Sequence, residues 1–557
     1  IDLFPIAQIE GCGHVIEELN LSENEKLDEK FVLSKNNIIF KNENSLLKVQ
    51  EPEINQRLDL STKNSFMFKS WNVKNSPLLP LFHVEKNKKG ISKLWIHTNS
   101  ISERINFNDK NLIEFFKNNF GCFLLADKWK NFLNDEILNL SEFKIGKTNK
   151  SISLCVEISN EFQIIDWSFH LTEVNCVAII DNKILEAINK NNNKSRITSR
   201  LLKPIKDYLE EINYLLEISN QFRKKQILRG KCEISKEPNN IKSLEEFYFH
   251  KPSSYDNDFL EPLNSNDVQT FISPILFEAD SIWFQHSSNF KIQNVCFPAI
   301  SSSKLNINEI IKNTQLLETD LELDENGNLT FEKLIICAKE DNKKRIINKY
   351  LINNSYINKA KISNIAIKEI ESNPSLSPWT LPSLDYVNLI NQYSLYNMFK
   401  NGKTFRKGSK EVNIFKKDSW KQVNWNLFNA SNLKISNTLF NDILIEKYNS
   451  YKSKAELFRS NYINIKQIRE AEKLIGKVFK GLIITVQSYG FFVELPDLYV
   501  EGLVHVSTLN DDWYEYRSRQ NLLVGRKSKN TYRVGDFIDI KVVKVDILKY
   551  QIDLEIN

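Results

Sequence analysis

GKVFKGLIITVQSYGFFVELPDLYVEGLVHVSTL, residues 476–509, is the stretch whose reading decides how the end of this chain folds. KVFKGLIITV and FFVEL are runs rich in Val, Ile and Phe, separated by a short turn that ends at Gly490. A proline-containing loop then leads into EGLVHVS. β-Branched and aromatic side chains suit a pleated, half-buried surface, and glycine-punctuated runs at this spacing predict a small closed β-barrel rather than helices. YRVGDFIDIKVVKVD and IDLEI continue the pattern to the last residues. Successive strand residues point to opposite faces, so Phe491 and Phe492 cannot both be core. Phe491 is assigned to the core and Phe492 to the surface.

Composition bounds the rest. At 557 residues the chain holds several domains, and 41% hydrophobic with 26% charged residues is the balance of a globular protein. Lys+Arg 75 against Asp+Glu 70 leaves +5, too little to prove nucleic-acid binding, which must come from local patches. The seven cysteines are scattered without a CxxC pair, which fits reduced thiols better than a disulfide frame or a zinc site. No apolar run approaches the roughly 18 residues of a membrane span. Opening on Ile1 rather than Met points to an incomplete N-terminus. The expected location is the bacterial cytoplasm or, alternatively, an organelle matrix.

The order G-x-V-x-x-G-x-(I/V), Y-G-F-F-V, E-G-L-V-H-V-S resembles an S1-type RNA-binding domain, an OB-fold barrel, over residues 474–557. That resemblance implies single-stranded RNA as the ligand, with Tyr489, Phe492 and His505 at the contacting positions and Phe479 nearby. Such barrels stack bases on surface aromatics while cations follow the backbone. Arg517, Arg519, Arg526, Lys527, Lys529 and Arg533 lie in a stretch, Arg517–Gly535, that holds no acid, and this basic loop is the best electrostatic footprint in the sequence. A merely solubilising loop is the alternative.

Upstream, LFHVEK and LWIHT read as a hairpin about the turn Asn87–Gly90, with Ser100 placed to cap a following helix. In order come SNQFRKKQILRGKCEISKEP (Ser219–Pro238), DVQTFISPILFEADSIWF (Asp267–Phe284) and WTLPSLDYVNLINQYSLYNMFKNG (Trp379–Gly402). With their spacing and the terminal barrel, these resemble the RNB-domain exoribonucleases, ribonuclease R and ribonuclease II, over 51–473. The fold class expected is α+β multidomain: an RNB-like α/β catalytic-type body plus a C-terminal S1-type OB-fold β-barrel. Pro274 is expected to kink its helix.

The resemblance implies magnesium held by four aspartates, D-x5-D-x-D-D, just upstream of the LWIH-type strand, because Mg²⁺ takes hard oxygen ligands. The equivalent positions here are Trp71, Pro77, Leu79 and Pro80, none with a side-chain oxygen, and Asp59 and Glu85 are the only acids between Gln56 and Lys86. The family's arginine pair falls at Leu384 and Asp385, its following Asp at Asn388 and its His at Gln392. Neither Leu nor Asp can copy a bidentate arginine–phosphate contact. The sequence therefore predicts an RNA-binding descendant of a 3′→5′ exoribonuclease with no catalytic or metal-binding residue and no cofactor. Its role would be a scaffold or regulatory subunit of an RNA-processing or ribosome-associated assembly. Two alternatives stand beside it: an active nuclease using acids from elsewhere in the fold, and a protein-interaction module for which RNA is irrelevant. Trp71 and Trp379 are bulky enough to plug the channel.

Other patterns carry less. ELDENGNLTFEK (Glu322–Lys333) mimics a calcium loop but ends in Lys333 where a bidentate Glu is needed, so it reads as a hairpin turn. His14, His83, His97, His170, His250 and His286 show no metal-ligand spacing. RKKQILRGK (Arg223–Lys231) and KEDNKKR (Lys339–Arg345) read as solvated faces, the former with phosphate contact as its alternative. Phe440 to Ile475 reads as one or two helices. Residues 1–50 read as short strands, KFVLSKNNIIF among them, forming either a small β-domain remnant or a linker docked on the next domain.

Overall fold

The computed structural model describes residues 2–3, 13–14, 19, 27–38, 47–69, 75–86, 90–109, 111–125, 128–191, 200–228, 268–298, 360–362, 375–408, 410–495, 498 and 500–557. Trp71, His250, Asn87, Glu322–Lys333, Lys339–Arg345 and the end of the Arg223–Lys231 run lie outside the described residues.

Near the N-terminus the chain forms a helix, α1 (Asp28–Lys35), where a strand is expected from KFVLSK. Tertiary packing overrides the local preference: Val32 and Asp28 are completely buried. Five strands come next: β1 (Leu58–Phe68), β2 (Leu81–Lys86), β3 (Ser92–Asn99), β4 (Thr148–Ile158) and β5 (Ile164–Ile180). They close into a barrel in the order β1-β2-β3-β4-β5, shut by parallel pairing of β1 with β5. Helices α2 (Asn111–Asn118) and α3 (Asp135–Ser141) lie in the β3–β4 connection.

Period-2 alternation sorts the strand residues into two faces. Phe66, Phe82, Leu94, Ile96, Leu154, Val156 and Phe169 join the main core with helices α4 (Asn182–Asn191), α5 (Leu209–Leu228) and α6 (Val268–Asn289). Buried nearly all round, polar residues included, α6 is sheathed by its neighbours. It continues through Pro274, and α5 supplies polar side chains beside it: Ser219 Oγ donates to the Phe271 carbonyl and Gln226 Nε2 to that of Pro274.

Strand β6 (Val295–Pro298) pairs with Lys361–Ile362 and Ser375–Leu376 and leads to α7 (Tyr386–Asn401). Two more helices are α8 (Ala430–Leu439) and the 31-residue α9 (Asp442–Glu472), whose last turns join the core of the terminal barrel through Ile468 and Ala471.

The terminal barrel comprises β7 (Val478–Gln487), β8 (Gly490–Leu495), β9 (Val500–His505), β13 (Phe537–Asp546) and β14 (Gln551–Ile556), closed in the order β7-β8-β9-β14-β13. Between β9 and β13 the chain forms a separate three-stranded antiparallel sheet, β10 (Tyr514–Arg517), β11 (Leu522–Gly525) and β12 (Thr531–Arg533). The stretch expected as a basic loop is therefore largely strand and tight turn.

Candidate nucleic-acid interface

One glycine sets the geometry of the barrel face. Gly490 lies at φ +153°, and a Cβ there would stand 2.2 Å from the Val504 carbonyl, so only glycine lets β8 approach β9 this closely. Gly490 pairs with His505, which brings Tyr489, Phe492 and His505 onto one patch. Tyr489 is 46% exposed and meets Phe492 edge to face at 6.3 Å. Phe491 is fully buried and Phe492 half-buried, as the alternation predicts. His505 is exposed; its Nδ1 accepts from the Ser507 backbone N–H at 3.2 Å and faces Ser507 Oγ at 2.7 Å. The proton then belongs on Nε2, a donor suited to a phosphate or base edge.

Phe479 sits elsewhere, half-buried against the barrel core. Farther along the same pair of strands Lys480 and Phe537 are exposed, with the Lys480 ammonium 5.4 Å from the Phe537 ring centre. Trp513, 72% exposed, is the largest aromatic surface here. Sequence reasoning missed both rings. Phe537 opens a strand whose alternation turns it outward, and Trp513 comes after two acids that mark a turn.

The six basic side chains are all exposed. Arg517 ends β10, Arg526, Lys527 and Lys529 occupy the β11–β12 turn, and Arg533 ends β12. Asp512 holds that turn. One of its oxygens accepts from the backbone N–H of Lys527 and Ser528, both at 2.7 Å, and from Ser528 Oγ at 2.9 Å. These bonds, the Ser528 N–H foremost, hold its carboxyl down at about 2. Arg526 stands 3.9 Å from Glu515 and Arg533 3.5 Å from Asp536. Exposed pairs of this kind contribute little and are readily exchanged for phosphate.

In the body, Pro77, Leu79 and Pro80 are buried, and Leu79 is part of the main core. The Leu78 N–H is bound to Ser383 Oγ at 2.7 Å, which ties this segment to the turn that precedes α7. Gly121 bridges to Asp385, the Cys122 N–H donates to the Leu384 carbonyl, and the Cys122 thiol donates to the Ser383 carbonyl at 3.0 Å. Burial pushes that thiol up to about 12, so it is inert.

Asp385, buried, caps α7 and accepts from the Asn388 N–H at 2.9 Å, Asn388 Nδ2 at 3.0 Å and the Tyr448 hydroxyl at 3.1 Å. Burial pushes its carboxyl up, against the pull of the Asn388 bonds. Gln392 donates to Thr98 Oγ1 and the Asn99 carbonyl and accepts from the Ser102 N–H. It thus caps the single 3₁₀ turn Ile101–Glu103, where Ser100 is expected to cap a full helix and makes no such bond. Trp379 is fully buried, its indole donating to the Ala279 carbonyl.

Several of the described acids are engaged elsewhere. Glu103 is paired with Arg57, Asp280 accepts from the Trp379 N–H, and Glu278 accepts from Gln226. Asp59 turns back on the Ser61 N–H. Glu85 faces His83 and Lys63, which hold it down at about 2. Among the described residues no three His, Cys, Asp or Glu side chains gather where they could hold a metal ion. Residues of this chemistry do not fit the magnesium that the family resemblance implies.

The described histidines include a contact the sequence does not reveal. His83 Nδ1 lies 2.8 Å from His97 Nε2, and His97 Nδ1 2.7 Å from Ser153 Oγ, with Trp95 stacked on both rings. They stand fourteen residues apart on neighbouring strands, so only the register brings them together.

The RNB domain family model matches residues 57–401, and that of the S1 RNA binding domain matches residues 472–557. The chain belongs to the RNB family. Among curated relatives of this RNB chain, the acetazolamide conferring resistance protein zam of Synechocystis is 44% identical over 135 residues, 24% of this chain and 17% of the relative. Ribonuclease R of Escherichia coli is 43% identical over 82 residues, 15% of this chain and 10% of the relative. The chain thus spans less than a fifth of the curated relatives it matches.

Among solved structures, apo Mycoplasma genitalium RNase R superposes with a TM-score of 0.72 at 16% identity, covering 96% of this chain and 78% of that one. Yeast Ssd1, described as a pseudonuclease, superposes with a TM-score of 0.62 at 14% identity, covering 94% and 61%. At these identities the likeness establishes the fold alone. No helix among the described residues is long and apolar enough to cross a membrane.

Proposed function

We propose that this RNB-family chain binds single-stranded RNA through its C-terminal barrel and does not cleave it. The observation that carries the reading is the content of the metal position: Pro77, Leu79 and Pro80 are buried apolar residues where the resemblance calls for carboxylates. The buried Asp385 supports it, since a carboxylate cannot take over the phosphate contact of an arginine. The S1 match, the Tyr489–Phe492–His505 patch and the exposed cations of the β10–β12 sheet support the binding half. Mycoplasma genitalium RNase R has been solved with single-stranded and with double-stranded RNA, which makes RNA the natural ligand class to test here. The role this suggests is a scaffold or regulatory subunit in an RNA-processing or ribosome-associated assembly.

Two experiments test the two halves. Incubated with a 5′-labelled single-stranded RNA and Mg²⁺, the purified chain should leave the RNA at full length. Shortening that a chelator abolishes would refute the inactive reading. For binding, Phe492→Ala with His505→Ala should weaken a short oligonucleotide by roughly tenfold or more, since base stacking contributes about 1–3 kcal/mol per base. Unchanged affinity in that variant would place the RNA elsewhere, and an absence of binding by the parent chain would favour a protein partner.

A further inference from the structure

We propose that the loop joining α7 to α8 is a second contact for single-stranded RNA, on the body of the molecule and separate from the barrel. The proposal rests on the RNA-binding reading above and extends it to a site of its own. Lys403, Arg406, Lys407, Lys410, Lys416 and Lys417 stand in fifteen residues with one acid, Glu411. Their net +5 equals the formal charge of the entire chain, so the remainder sums to zero. All six are exposed. Gathering like charges costs stability through self-repulsion, and Glu411 is engaged by the Thr404 hydroxyl at 3.1 Å.

The fold nevertheless holds this segment in place. The Val412 N–H donates to the Thr404 carbonyl and that of Lys403 to Leu427, while the Trp425 indole donates to the Lys403 carbonyl. Phe415 stacks on Phe399 at 3.9 Å and 9°, and Ile414 is fully buried beside Met398, Leu427 and Ile292. Backbone bonds from Phe169 to Phe415 and from Lys417 to Trp167 attach the loop to β5. On this anchored base Phe405 remains 61% exposed between Lys403 and Arg406. At Gly408, φ +85°, an added Cβ would meet nothing within 4 Å.

An aromatic ring set among cations on a fixed loop matches a strand whose phosphates follow the charges while a base covers the ring. An acidic peptide would satisfy the charges and leave Phe405 in water. A barrel of the OB type occupies only about 4–16 nucleotides, so a longer strand extends beyond it and can reach a second contact.

The test compares two RNAs on the full chain: an oligonucleotide of about 10 nucleotides that fills the barrel, and one of about 40 that outruns it. Lys403→Glu with Lys407→Glu and Lys410→Glu should weaken the long RNA by at least tenfold and leave the short one unchanged. The slope of log affinity against log salt for the long RNA should fall by about 2, at roughly 0.7 for each phosphate no longer neutralised. Phe405→Ala, which alters no charge, should weaken the long RNA by about tenfold with the salt slope unchanged. Equal affinity and slope in parent and variants would overturn the proposal. So would polyglutamate that displaces the long RNA through these lysines and is indifferent to Phe405→Ala, which would assign the loop to an acidic protein segment. The short-RNA arm reads the barrel alone, so failure there falls on the function proposed above and not on this loop.

Discussion

Asp28→Ala should lower the free energy of unfolding by about 3–5 kcal/mol and detach α1 from the long helix α9. Asp28 is fully buried and accepts from Arg469 Nη2 at 2.7 Å and Nε at 3.4 Å and from Lys466 Nζ at 3.0 Å. Truncating it removes the close counter-charge of two cations, whose side chains are 5% and 13% exposed, although Arg469 keeps Glu472 at 3.9 Å. The penalty arises from that orphaned charge rather than from any large intrinsic worth of the pair. Two controls separate these terms. Glu186→Ala removes the exposed partner of Lys190 and should change stability by no more than about 1 kcal/mol. Replacing all three charges together, Asp28→Leu with Lys466→Met and Arg469→Met, should recover most of the loss. Urea denaturation reads each variant, and Asp28→Ala within about 1 kcal/mol of the parent would refute the ionic origin of the docking.

Acidification below about pH 6.5 should destabilise the body. Burial pushes His97 far below its ordinary value and His286 down to about 3. His97 faces His83, Ser153 and Trp95, and His286 lies among Trp167, Phe169, Trp283 and Phe290. Neither site offers the imidazolium a carboxylate partner in direct contact. Both rings are therefore neutral when folded, while an unfolded histidine takes a proton below about pH 6.5. Their contribution is complete above that value and is lost as the pH falls towards the folded values. The slope approaches about 1.4 kcal/mol per pH unit for a ring that stays neutral, or roughly 3 kcal/mol for His286 by pH 4.5, and His97 adds to it in the same direction. His83 acts in the same direction, moderated by Glu85. Asp385 and Glu103, pushed up by burial, oppose it. Denaturation at several pH values checks the sign, and His286→Phe should remove one proton from the slope. A stability that stays flat from pH 7 to 5 would contradict neutral buried rings.

The terminal barrel is legible in the sequence because its strands run six to ten residues, rich in Val, Ile and Phe and punctuated by glycine, so even the opposite fates of Phe491 and Phe492 can be read. The β10–β12 sheet is not. Its strands run three or four residues, and the exposed arginines at their ends mask the alternation of Tyr514, Tyr516, Leu523 and Tyr532. Helix α1 escapes a local reading because the reasons for it lie far along the chain, in Lys466 and Arg469. The same holds for Gln392, which caps a turn almost three hundred residues away. In the body, the sequence shows that Pro77, Leu79 and Pro80 carry no side-chain oxygen, and the fold buries all three. What the sequence does not show is how thoroughly Asp385, Asn388 and Gln392 are bonded inward.

The docking of α1 also orders events in time. Asp28 and Arg469 are separated by 441 residues, and α1 also meets the terminal barrel, where Lys35 lies 3.9 Å from the ring of Tyr550. At ribosomal speeds of about 5–20 residues per second, roughly 20–90 seconds pass between the emergence of Asp28 and of its partner arginine. Until then the carboxylate has no counter-charge with which to be buried, and α1 stays in water. Its docking therefore waits for α9, and a chain truncated before Arg469 lacks the cation that seats Asp28.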